Sequence, residues 1–195
     1  MAVSIDFKKK VQMIDFFAKQ VRRKEIGKID VLKAVFFADR YHILKYGRSV
    51  SGDTYYAMKH GPFASGIKNI CNLDSARLSK EEIAYVKQFL DIKTNSVHSV
   101  SNQDYDAKFF SETDVEALNK SLNLFLSLKR DKIDVAEYSH RFFDWGKKYA
   151  PFLPQNENNR IDLDVDEFFN IVKDDYCAEI PQDVRDLNRE MVNFC

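Results

Sequence analysis

Apolar residues recur at Phe7, Val11, Ile14, Phe17 and Val21, at intervals of four and three, and this stripe predicts an amphipathic helix near the start of the chain. The basic run Arg22-Arg23-Lys24 follows it, favouring the negative end of the helix dipole ahead of Gly27. A second helix is expected over "VLKAVFFADRYHILKY", with Asp30 as its N-cap and Gly47 as the left-handed residue that closes it. That segment is apolar on more than one side, which places it at the centre of the fold.

The helical pattern breaks at residues 46–63, "YGRSVSGDTYYAMKHGPF", which hold three of the six glycines, one of the four prolines and three of the nine tyrosines. Gly52 and Asp53 supply turn chemistry, so "RSVS" and "TYYAM" are expected to form a short hairpin around them, with Tyr55 and Tyr56 on opposite faces. Gly61-Pro62 then stands near the start of a further helix through Ile67 and Ile70.

Beyond it, Ser79-x-x-Glu82 is a capping box opening "KEEIAYVKQFL", and Ser111-x-x-Asp114 opens "ETDVEALNKSLNLFLSL" in the same way. "VHSV" at 97–100 reads as a short strand between them, and Asp134 with Glu137 begins a helix over "VAEYSHRFFDWGKKY". "PFLPQNENNR", 151–160, has the composition of a linker. After it, Ile161, Leu163 and Val165 alternate with three aspartates as in a half-buried strand, and helical turns are expected around "DEFFNIV" and "DVRDLNREMV". The fold class is therefore mainly α: a compact multi-helix domain over residues 1–150 with a small β-hairpin, and a C-terminal extension, 151–195, packed on the core or docking from it.

Composition narrows the function classes. A chain of 195 residues with 45% hydrophobic and 31% charged positions is that of an ordinary globular domain, and no apolar run approaches the roughly 20 residues of a membrane helix. Cys71, Cys177 and Cys195 are far apart and never paired as Cys-x-x-Cys, and "MAVSIDFKKK" lacks the apolar region of an export signal, so a cytoplasmic location is expected. Net charge is zero, yet residues 1–68 carry 14 Lys/Arg against 6 Asp/Glu and the remainder carries 16 against 24. The basic front suits phosphates, an acidic protein surface, or neutralisation by the acidic part of the same fold.

Chemical motifs are sparse. "DLDVDE" opens like a calcium loop, but Glu167 and Lys173 occupy the positions that need Gly and a bidentate Glu. No phosphate-binding glycine loop, nucleophile elbow or H-E-x-x-H pair is present. His42, His60, His98 and His140 have no spacing that places two on one helical turn, so no metal or cofactor is expected. Cys71 reads as a small buried apolar residue. Trp145, the sole tryptophan, stands among Tyr138, Phe142 and Phe143, either as core packing or as an interface anchor.

One resemblance covers much of the chain. "KIDVLKAVFFADRYHILKYGRSVSGDTYYAMKHGPFASGIKNI" is similar to the signature of the Panacea domain of SocA-like, phage-associated antitoxins. The matching positions are Lys33, Phe37, Ala38, Asp39 and His42, then Gly47, Arg48, Gly52, Asp53, Tyr55, Ala57, His60, Gly61 and Pro62. "FSETDVEALN" and "SHRFFDW", the latter with His140 and Trp145, extend it to about residue 148, and Phe36 departs from it where tyrosine is usual. The resemblance implies a non-enzymatic antitoxin of a bacterial or phage toxin-antitoxin system that binds a cognate toxin encoded nearby, some relatives instead delivering the toxin to a cytoplasmic protease.

On this reading Arg40, Arg48, Tyr55 and His60 are expected to be exposed and to contribute to the partner-binding face. Gly47, Gly52, Gly61 and Pro62 are explained by backbone geometry, and Asp39 and Asp53 by capping the hairpin, by pairing with Arg48 or by partner contact. The alternative is a small-ligand or metal-binding protein built on His60, Asp53 and His140. A DNA-binding autoregulator using the basic front ranks third, because zero net charge gives nucleic acid no long-range attraction.

Overall fold

In the computed structural model, which describes residues 2–102, 106–152 and 160–193, the first apolar stripe forms helix α1, Ile5–Lys19. Ser4 caps it by accepting the Phe7 N–H at 3.2 Å, and Phe7, Val11, Ile14 and Phe17 are buried, as their spacing requires. Strand β1, Glu25–Gly27, then runs straight into α2, Lys28–Tyr46. The expected N-cap, Asp30, lies inside the first turn, and Gly27 holds the cap position. The Lys28 N–H donates to the Asn95 carbonyl at 3.0 Å, so the chain becomes helical as soon as the strand ends, while Asp30 pairs with Lys129 at 2.8 Å. Gly47 closes α2 at φ 71°, returning its N–H to the Ile43 carbonyl.

The remaining elements are β2, Tyr55–Met58; β3, Gly61–Ala64; α3, Ser65–Asn72; α4, Lys80–Phe89; β4, Leu90–Ile92; β5, Ser96–Ser99; α5, Glu112–Arg130; α6, Val135–His140; β6, Ile161–Asp162; and α7, Gln182–Asn193. Both expected capping boxes are formed, Ser79 with Glu82 and Ser111 with Asp114. Two three-stranded antiparallel sheets result, in the orders β1-β5-β4 and β3-β2-β6. The fold is mainly α with minor β content, and α2 lies at its centre against α1, α5, α6, α7 and β3. Phe36 of α2 is enclosed by the rings of Phe37, Tyr55, Phe142, Phe143 and Phe168 at centroid distances of 5.4–6.2 Å. Packing of this density against one central helix is the main source of its stability.

The hairpin differs from expectation. Its strands are β2 and β3, paired Tyr55 to Ala64 through Met58 to Gly61, and its turn is Lys59-His60. Gly52 and Asp53 lie before it, because the amides expected to pair there are already used: the buried Asp39 carboxylate accepts the N–H groups of Val50 and Ser51, each at 2.8 Å. Gly61 and Pro62, expected near a helix start, belong to β3. That strand is the edge of its sheet, where a residue without N–H is tolerated.

The helix expected over 135–149 ends at His140, and a π-helical turn, Trp145–Tyr149, follows. Asp144, at ψ 56°, breaks the helical path between them. Of the expected linker, residues 153–159 lie outside the described residues. Residues 160–193 return to the core: β6 pairs with β2 (Ile161 to Ala57), Phe168 and Cys177 are fully buried, and α7 packs on α2, where Asn188 donates to the Leu44 carbonyl at 3.0 Å.

Candidate functional site

Most residues of the 39–62 signature are engaged within the protein. Asp39 is fully buried and, besides two amides, accepts the hydroxyls of Ser51 and, at 2.7 Å, Tyr55. Burial raises its carboxyl above the usual range, and those four donors oppose the rise. Asp53 turns the other way. It accepts the Gly66 and Ile67 N–H groups at 3.0 and 2.9 Å, capping α3, and the Thr54 N–H at 2.8 Å. His42, buried in α2, bridges the Arg48 carbonyl at 2.7 Å and the Thr113 hydroxyl at 3.0 Å. These contacts fix the path of the chain between α2 and β2.

Two expected surface residues are interior. Arg40 is fully buried, donating to both carboxylate oxygens of Asp175 and to the carbonyls of Phe168 and Asn170, with its guanidinium 4.0 Å over the Phe142 ring. Tyr55 is 7% exposed and packs on Phe36 and Phe168. Both are corrected from contact candidates at the surface to core residues. Arg40 is enclosed because the C-terminal segment supplies a carboxylate and two carbonyls that satisfy its donors.

Arg48 and His60 are exposed, but they do not share a patch. Arg48 follows the C-terminus of α2 and reaches Asp114 at 3.0 Å and Ser111 at 3.2 Å, at the start of α5. His60 sits at the β2–β3 turn, beside residues 28–33 at the other end of α2. Fourteen residues of helix separate Lys33 from Gly47, a rise of about 20 Å.

Around His60 the surface opens into a groove of about 540 Å³. Its apolar lining includes Ile29, Leu32, Met58 and Phe63, and its charged lining is entirely basic: Lys28, Lys33, Lys59 and Lys68. Lys33 is only 2% exposed and donates to the Pro62 carbonyl at 2.6 Å. Burial lowers its pKa well below the ordinary lysine range, opposed by the charge of Asp134. Gly61 makes this approach possible. A Cβ there would stand 2.6 Å from Ser139 Oγ, 2.8 Å from Lys33 Nζ and 2.9 Å from the His140 ring, and its φ of +92° already excludes an ordinary side chain.

His60 and His140 line a second, adjoining cavity with Asp134 and Glu137, whereas Asp53 is committed to α3 and does not line it. The trio proposed for ligand chemistry is therefore not assembled as one site. Among the described residues no group of three or more His, Cys, Asp or Glu side chains is arranged to hold a metal. His140 stacks on Trp145 at 4.2 Å with the rings 5° from parallel, and burial together with the Lys33 charge pushes its imidazole down to about 4. Trp145 itself is half-buried at the edge of the aromatic core. Burial raises the Cys71 thiol to about 12, in keeping with an inert core residue.

Much of the basic front is neutralised within the fold: Lys9 and Arg48 pair with Asp114, Lys45 with Glu116, Arg40 with Asp175. The groove lysines are among those without an ion pair, and the sequence does not mark them as a set. Lys33 carried a signal, a lysine between Leu32 and Ala34 in a helix apolar on every side; Lys28, Lys59 and Lys68 carried none, being brought together only by the hairpin and α3.

No helix among the described residues is long and apolar enough to cross a membrane. Comparison with curated proteins and with solved structures gives no match. Residues 31–146, which contain all but the first three residues of α2, the hairpin, α5 and α6, match the family model "Antitoxin SocA-like, Panacea domain". This match spans more than half of the chain and includes both the Asp39 network and the Gly61 approach that shapes the groove, and the protein belongs to the SocA-like, Panacea-domain antitoxin family.

Proposed function

We propose that this protein is an antitoxin that neutralises a cognate protein toxin by direct binding, with the β2–β3 turn and its groove as the contact face. The observation that carries the reading is a division of labour along the chain: Asp39, Arg40, His42, Asp53 and Tyr55 satisfy one another or the core, while Lys59 and His60 are exposed at the turn and Lys28 and Lys68 border the groove beside it, with Lys33 buried in its wall. A rigid internal network presenting one apolar and charged concavity suits protein recognition, in which a few anchors in a pocket carry most of the affinity.

The test is co-expression with the neighbouring open reading frame. The neighbour alone is expected to arrest growth, to be tolerated in the presence of this protein, and to co-purify with it in fixed stoichiometry. A harmless neighbour, or one that never associates, would remove the reading.

A further inference from the structure

Lys28, Lys33, Lys59 and Lys68 border one groove, and none has a carboxylate within ion-pair distance among the described residues. Their contacts are neutral. Lys33 donates to a carbonyl, Lys28 to the Asn72 amide oxygen at 3.1 Å, and Lys68 to the Met58 sulfur at 3.4 Å while lying 5.1 Å over the Phe63 ring. Among the described residues no aspartate or glutamate lines the groove. Unpaired lysines also occur singly elsewhere on the surface, but here four of them line one concavity, and one of the four, Lys33, is buried.

Lys33 makes the absence of a paired carboxylate consequential. An ammonium has three donors, and Lys33, 98% buried, uses one of them on Pro62. A buried cation is ordinarily held by a counter-ion; the charge of Asp134 acts on Lys33 from beyond ion-pair distance, and Lys33 lines the groove without a carboxylate paired to it. Around it Ile29, 43% exposed, with Leu32, Met58 and Phe63 offers apolar surface, and the volume exceeds what one small anion fills.

We propose that the groove receives an acidic and apolar segment of the protein partner, an aspartate or glutamate side chain reaching toward Lys33 between the outer lysines while a neighbouring apolar side chain packs on Ile29, Leu32 and Met58. The inference rests on the reading of this chain as a toxin-binding antitoxin and specifies the chemistry of the toxin surface it fits. A peptide segment satisfies both halves of the lining at once, whereas a free anion would leave the apolar half uncovered.

The experiment uses the full chain with its co-purified neighbour. Carbodiimide, which joins a lysine amine to a carboxylate in contact with it, is expected to cross-link Lys28, Lys59 or Lys68 to an acidic residue of the partner, mapped by mass spectrometry. The double variant Lys59→Glu/Lys68→Glu is expected to keep the wild-type melting temperature and to bind at least about tenfold more weakly, while Arg189→Ala on α7, which meets the far end of α2, binds as wild type. Unchanged binding by the charge-reversed variant, with no cross-link from these lysines, overturns the proposal and leaves the antitoxin reading intact.

If the neighbour neither arrests growth nor binds, the antitoxin reading has failed and the groove is tested alone, by fluorescence anisotropy with a labelled peptide alternating glutamate and phenylalanine. Salt-sensitive binding to wild type, absent in the double variant, sustains the groove's chemistry. No binding, equal binding by both proteins, or complete competition by inorganic phosphate, which would make the occupant a small anion, overturns it.

Discussion

Arg40 and Asp175, 135 positions apart, form a two-pronged ion pair at 2.9 and 2.8 Å with both side chains fully buried. The pair joins the central helix of the family segment to a C-terminal segment that the family match does not include. Its donors and acceptors are further satisfied by the carbonyls of Phe168 and Asn170 and by the Cys177 N–H at 2.9 Å. Arg40→Ala would leave Asp175 as an uncompensated buried charge, and a loss of roughly 3–5 kcal/mol is expected in urea unfolding. Arg40→Lys is expected to lose much of the same stability, because an ammonium cannot reproduce the fork that reaches four acceptors. A wild-type unfolding midpoint for Arg40→Ala would return Arg40 to the list of surface residues.

Two glycines of the same stretch are expected to respond differently to alanine. Gly52 has φ +59° with nothing within 4 Å of a built Cβ, so Gly52→Ala bears only the left-handed backbone cost of about 1–2 kcal/mol. Gly61 has φ +92° and three atoms closer than 3 Å, so Gly61→Ala adds crowding of a further 1–3 kcal/mol, roughly, and displaces Lys33, Ser139 or His140. Thermal unfolding of the two variants side by side checks the order, and equal losses would contradict the close approach at Gly61.

His140 and Trp145 supply an internal pH reporter. The groups acting on the imidazole are Lys33 and His60, which add to the effect of burial, and Asp134, which opposes it; Glu137 stands 3.7 Å away. Because the folded value is about 4 against an ordinary 6.5, the unfolded chain takes up a proton between those limits that the folded chain refuses. Stability therefore falls as pH drops through that window, and the loss is complete below it. Fluorescence of the sole tryptophan is expected to be quenched by the stacked imidazolium with a midpoint near 4, and His140→Phe should remove both that transition and its share of the pH slope. A fluorescence midpoint at 6.5 would show the ring to be open to solvent.

Local signals were well written in the sequence. The α1 stripe, the Ser79 and Ser111 capping boxes and the Gly47 closure each depend on residues within a few positions of one another, and each is formed. The hairpin was displaced because its expected amides bond to Asp39, a side chain more than ten positions earlier whose burial no local pattern reveals. Arg40 and Tyr55 looked like surface residues by type, and only the return of residues 160–193 encloses them. The groove was legible least of all. Its lysines come from α2, a turn and α3, and what distinguishes them, their convergence on one concavity, is a property of the folded arrangement.

Lys33 gives the groove a second, independent readout. Burial lowers its ammonium below the ordinary 10.5, with Asp134 opposing, so above the folded value the folded chain releases a proton that the unfolded chain retains up to 10.5. Wild-type stability is thus expected to rise with pH across that window relative to Lys33→Met, which lacks the titrating group, and the difference should level off above it. An acidic side chain entering the groove would oppose the shift by placing negative charge beside the ammonium, so binding at a pH inside the window should draw a proton onto Lys33. Calorimetric titration of the partner in buffers of different ionisation enthalpy measures that uptake directly. Proton uptake by wild type and its absence in Lys33→Met would place a partner carboxylate beside Lys33, and equal uptake by both would place the titrating group elsewhere.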